Sequence, residues 1–173
     1  MTTEDPLKAA QSGVALLGEV IKAAGDSPNV KAAGNELGKA ALTLTKTINN
    51  ALLPLAAVNF AFDRARQYFS ERFAQDLGEK ASAIPADQIV EPKASIAGPA
   101  LQGLAFSHDE PNLKEMYLSL LASAMDGRSS EKVHPAFVEI IRQLKSEEAR
   151  LLRGILRSRS GIPIAEIRLR SEN

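Results

Sequence analysis

Two small sets of polar residues have the types and spacing for chemistry. Arg128 and His134 stand with five residues between them. An imidazole can serve as a general acid or base, and a guanidinium is a fixed positive charge. Both residues also have a plainer use. His134-Pro135 suits the start of a helix, and Arg128 falls in the polar loop Asp126-Gly127-Arg128-Ser129-Ser130. His108-Asp109-Glu110 sets an imidazole beside two carboxylates, the ingredients of a metal site or a general base. A metal site needs three or four convergent ligands. No second His lies at helical spacing, so this run reads as the solvated first turn of a helix with Asp109 as its N-cap. Cys is absent and His occurs twice, which removes thiolate nucleophiles, disulfides, Cys-ligated zinc and multi-His metal sites. No glycine-rich loop follows a strand, and Gly34 and Gly38 sit inside a helical pattern. No catalytic residue, metal ligand or cofactor is assigned on these grounds, and the binding residues stay open.

The elements that must position these residues are helices. Ala (27 residues) and Leu (21) dominate over six Phe, two Tyr and no Trp, a composition of helix formers. The expected fold is all-α, a multi-helix bundle with long N-terminal helices and a compact C-terminal helical core. At 173 residues it is one domain or a domain with a helical extension. We divide it into an N-terminal region, 1–83, and a C-terminal core, 84–173, with a tail at 161–173. Lys plus Arg equals Asp plus Glu at 21 each, so there is no global electrostatic case for nucleic acid. The charge is uneven, however. From Arg142 onward eight Lys/Arg face four Asp/Glu, and before it 13 face 17. That basic segment leaves nucleic acid open as a partner, beside a protein partner or a second copy of the chain.

Asp5-Pro6 opens a helix ending near Gly25, and Ser27-Pro28 opens another over 28–49. In the second, Val30, Leu37 and Leu44 fall seven apart, with Ala33, Ala40, Ala41 and Ile48 filling the seam. Periodicity predicts one long helix from Asn50 to Ala83, with Leu55, Val58, Phe62, Ala65, Phe69 and Phe73 on one face. The two seams are expected to pair as a hairpin or across a dimer. The run Ala51 to Phe62 is the most apolar in the chain, but its twelve residues fall short of the roughly 20 that cross a bilayer. It reads as a buried helix start, with an interfacial, membrane-acting helix as the alternative. The acidic start Met1-Thr2-Thr3-Glu4-Asp5 is unlike a secretory leader, so a cytoplasmic protein without a transmembrane span is expected.

Pro85 to Ser95 reads as an ordered connector pegged by Ile89 and Val90. A short helix follows over 95–106, with Pro99 in its first turns. The helix 111–125 carries a wide apolar stripe of Leu113, Met116, Tyr117, Leu120, Leu121 and Ala124, so Leu120 or Leu121 is expected to be fully buried. Gly127 is placed to stop it. The next helix, after His134-Pro135, is expected to bury Phe137, Ile140, Ile141 and Leu144. The last one, N-capped by Ser146 and ending near Arg157, carries Leu151, Leu152, Ile155 and Leu156. In the tail, Ile167 and Leu169 alternate with charged residues like a short strand without a partner.

Several blocks occur together in a specific order: Ile96-Ala97-Gly98-Pro99-Ala100-Leu101, Leu113-Lys114-Glu115-Met116-Tyr117, Leu120 to Asp126, His134 to Ile141, and Glu147-Glu148-Ala149. Over about 84–156 the chain thereby resembles the Abi-alpha family of bacterial abortive-infection proteins. The likeness continues more loosely through Leu52-Leu53-Pro54-Leu55, Phe62 and Tyr68-Phe69. It implies a part in defence against bacteriophage, in which an infected cell stops growing before phage spread. It carries no catalytic residues onto this sequence, and it implies further chain beyond Asn173. The expected function is a non-enzymatic component or effector of abortive infection that acts by macromolecular contact. The Arg128/His134 spacing is also similar to the Arg-x(4 to 6)-His pattern of HEPN-type ribonucleases. That makes a ribonuclease using this pair the alternative.

Overall fold

The computed structural model describes residues 39–44, 46–48, 51 and 59–157. The helix expected over 5–24, the front of the one over 28–49, most of the apolar run 51–62 and the tail 161–173 lie outside the described residues. Residues 39–44 and 46–48 are helical, with Ala40, Ala41, Leu44 and Ile48 buried as the seam requires. Six helices follow: α1 (Asn59–Glu71), α2 (Phe73–Ala81), α3 (Ala94–Ser107), α4 (Pro111–Met125), α5 (Ala136–Gln143) and α6 (Ser146–Arg157). The fold is all-α among the described residues, and its β-type pairing there is one isolated bridge, Ile89 to Asp126.

α4 is the centre. It packs against α2, α3, α5 and α6, while α1 leans on α2 and α3. Its stripe is as wide as the sequence implies. Leu121 is fully buried and Leu120 nearly so, while Met116 is only partly covered. Truncating a core leucine of this kind to Ala costs about 2–5 kcal/mol.

The expected single helix from Asn50 to Ala83 is bent at Arg72, where φ is −123° and ψ −32°. The bonds Arg72 N–H to Tyr68 O and Asp76 N–H to Arg72 O, both 2.9 Å, persist across the bend. Neither Pro nor Gly is there to cause it. The bend falls among three aromatic side chains, Tyr68, Phe69 and Phe73. Here the three rings gather with centroids 5.2 to 6.4 Å from one another.

The connector is ordered, as expected. Ile84, Ala86, Ile89 and Pro92 are buried, and Val90 N–H and Gly127 N–H complete bonds of 2.8 Å to Met125 O and 2.7 Å to Gln88 O. This pairing, not Gly127, stops α4: Asp126 is already extended at φ −94°, ψ 110°. Gly127 matters for space, since a Cβ there would sit 3.2 Å from Gln88 O and Val90 Cγ1.

Other expectations change. Asp109 does not cap α4; the N-cap position is Glu110, whose side chain makes no capping bond. Ser146 is the first residue of α6, and Glu148 Oε2 instead accepts the Lys145 N–H at 2.8 Å, half of a capping box. On α5 the buried residues are Val138 and Ile141, with Leu144 partly covered; Phe137 and Ile140 are 45% and 50% exposed. On α6 only Ala149 is fully covered, and Leu151 and Leu156 face solvent. Pro99, the sixth residue of α3, has its ring on the exposed side, where a missing N–H costs one helix bond.

Candidate functional site

Arg128 and His134 are each taken up by local structure. Arg128 Nε lies 2.9 Å from Asp126 Oδ1 and Nη2 2.7 Å from Oδ2, a two-pronged pair, and Nη2 also reaches Ala83 O at 3.3 Å. The Arg128 backbone N–H donates to the same carboxylate at 2.9 Å. These bonds, the side-chain ones first, hold the Asp126 carboxyl below its ordinary value. His134 Nδ1 accepts the Ala136 N–H at 3.1 Å, which ties the imidazole to the first turn of α5. Among the described residues no hydrogen bond or ion pair joins Arg128 to His134.

The other sequence candidate, His108-Asp109, meets residues far away in the chain. A polar cleft of about 230 Å³ lies beside the bend between α1 and α2, facing the α3–α4 turn. His108 Nδ1 is 3.1 Å from Ala105 O, so Nδ1 is the donor. Its ring stacks on Tyr68 at 5.2 Å and 26°. Tyr68 Oη donates to Asp76 Oδ2 at 3.0 Å, and Lys114 Nζ reaches the same oxygen at 2.9 Å. Burial first, and Asp76 second, raise the Tyr68 phenol far above its ordinary value, so it stays a donor. Asp109 pairs with Arg64 at 3.5 Å, and Gln67 donates to Glu71 at 3.1 Å. Most charges here already answer one another, which makes the cleft a brace between α1, α2 and α4 more than an open reaction centre.

A second concavity, of about 410 Å³, lies between α3, α4 and the end of α5. Pro99, Phe106, Leu113, Tyr117, Ile141 and Leu144 give it an apolar lining, with Gln102, Glu110 and Arg142 among its polar groups. Its floor depends on Gly103. A Cβ there would stand 2.4 Å from Tyr117 Cζ and Oη, so only glycine lets the phenol lie against α3.

A family model described as abortive infection alpha matches residues 65–173. The chain belongs to the abortive infection alpha family. Its role is therefore in abortive infection. The match reaches back into α1, beyond the stretch where the sequence blocks were densest, and takes in α2 to α6. No curated protein and no solved structure matches the chain.

In this abortive infection alpha protein, Leu42 and Phe106 are exposed among the described residues, and the other large exposed apolar side chains fall on α5 and α6. Phe137 and Ile140 on α5 and Leu151 and Leu156 on α6 are all large and exposed, with Leu156 at 73%. No helix among the described residues is long and apolar enough to cross a membrane. Sequence spacing found none of these three places as such. Arg64 and Asp109, or Phe106 and Leu144, are joined by tertiary packing and carry no shared motif. One local signal was present: a glycine at 103, inside an otherwise regular helix, marks close approach by another element.

Proposed function

We propose that the protein is a non-enzymatic component or effector of abortive infection against bacteriophage, acting by contact with another macromolecule. The observation that carries this reading is a set of exposed apolar side chains on α5 and α6. Four large side chains, Phe137, Ile140, Leu151 and Leu156, point to water on two consecutive helices. Covering these four side chains with a partner would remove apolar area from water and favour association. Two features support contact over the ribonuclease alternative. The Arg128 guanidinium is occupied by Asp126, and His134 Nδ1 serves a helix start. A phosphate would have to break the first of these to gain its counter-charge.

A phage challenge of bacteria expressing the chain separates the two. Ile140→Asp and Leu151→Asp put charges on side chains that are half or more exposed, so the protein should still fold. They are expected to abolish protection, while His134→Ala keeps it. Protection lost in His134→Ala and kept in both Asp variants would replace this reading with the ribonuclease.

A further inference from the structure

We propose that the groove between α3, α4 and α5 binds a small, uncharged amphipathic molecule: an apolar body carrying one oxygen that accepts a hydrogen bond. The pivotal residue is Tyr117. It is only 2% exposed, yet its hydroxyl makes no hydrogen bond to another described residue. The hydroxyl is not sealed off either, because no fully buried side-chain oxygen lacks a partner there, and Tyr117 lines the groove. Its remaining exposure therefore opens into that space. The neighbouring Ser107 hydroxyl is already spent, donating to Gly103 O at 2.8 Å. Tyr117 is thus a preorganised donor, seated by Gly103, waiting for an acceptor. Burial pushes its phenol up to about 12, with Arg142 pulling down and Glu139 pushing up, so it carries its proton at neutral pH.

The rest of the lining sets the class of ligand. Pro99, Leu113, Ile141 and Leu144 form apolar walls, and Phe106, 56% exposed, stands at the rim with area to bury. A volume of about 410 Å³ lies in the range of small-molecule sites and is too small for a folded partner. The charges on the lining are one Glu110 and one Arg142, and Arg142 is already paired with Glu139. With Arg142 held by Glu139, an anionic head finds no free cation here, and any charged head would lose its hydration against the apolar walls. A neutral carbonyl or amide oxygen on an aliphatic or aromatic body complements what is there.

The test is an NMR titration of the ¹⁵N-labelled full chain with octanamide, run beside octanoate and octylammonium, which share its body and carry opposite charges. Octanamide is expected to shift the amides of Gly103, Tyr117 and Leu144 in a saturable way, with the charged analogues weaker. Tyr117→Phe removes only the hydroxyl and should weaken binding about three- to tenfold, as loss of one neutral hydrogen bond implies. Leu144→Trp, which fills the groove from its edge, should abolish binding, and it carries the test if the Phe variant fails to fold. The proposal is overturned by no saturable shift with octanamide, by equal binding of either charged analogue, by undiminished binding in folded Tyr117→Phe, or by binding that survives Leu144→Trp.

Discussion

Asp126 shows how much one side chain settles. Its carboxylate takes Arg128 at 2.7 to 3.2 Å, and its carbonyl takes Ser129 N–H at 2.8 Å and Ser130 N–H at 2.7 Å. Its backbone also bridges to Ile89. Arg128 holds the folded carboxyl below its ordinary value. A depressed folded value means stability that is full above the unfolded value, about 3.9 for Asp, and lost as pH falls through the lower folded one. Asp126→Asn should therefore lower the urea midpoint at pH 7, and the difference from the parent should shrink toward pH 3. A gap of the same size at both pH values would mean that the Arg128 pair contributes nothing. The polarity of this loop is legible in the sequence, but the partner of Arg128 is not. Five intervening residues allow His134 and one allows Asp126, and only the extended turn out of α4 decides between them.

Helices were the legible element. Composition and the three-four periodicity locate α3, α4 and α6 to within a residue or two, because each bears an apolar stripe bounded by Pro, Gly or a charged first turn. What periodicity cannot show is how deeply a stripe is covered. α5 is only two turns long, so α3 and α4 cover Val138 and Ile141 and leave Phe137 and Ile140, a quarter turn away, in water. Two glycines test the packing between elements. A Cβ at Gly103 would strike the Tyr117 ring at 2.4 Å, whereas at Gly154 nothing lies within 4 Å. Gly154→Ala should stabilise α6 by up to about 1 kcal/mol through helix propensity. Gly103→Ala gains the same propensity but overpacks a closed contact, a cost of about 1–3 kcal/mol, so its thermal midpoint should drop. Two midpoints moving in the same direction would show that the close approach of α3 to α4 does not matter.

At the scale of the whole molecule the chain joins distant stretches, which is why neither concavity is readable from spacing. Thr43 in the upstream helical segment hydrogen-bonds Glu91 of the connector, and Thr47 packs 3.8 Å from where a Gly98 Cβ would be. Lys114 of α4 bonds Asp76 of α2 at 2.9 Å, and Lys80 of α2 pairs with Glu115 of α4, which Arg153 of α6 approaches at 3.6 Å. The buried apolar residues form one cluster from Ala40 through Phe73 and Leu121 to Ala149. A division of the chain at residue 83 and this shared cluster make opposite claims about unfolding. Regions with separate cores melt separately, whereas a core that draws on α2 and α4 alike loses both when either leaves. The expected outcome is one urea transition for the described helices. Far-ultraviolet dichroism, which reports all of them, and the fluorescence of Tyr68 and Tyr117, on α1 and α4, should give coincident midpoints. Two separated midpoints would support the division into an N-terminal region and a C-terminal core. Leu121→Ala sharpens the comparison: buried in α4 beyond the proposed boundary, it should lower both signals together, and a shift in the Tyr117 signal that leaves Tyr68 unmoved would favour two units.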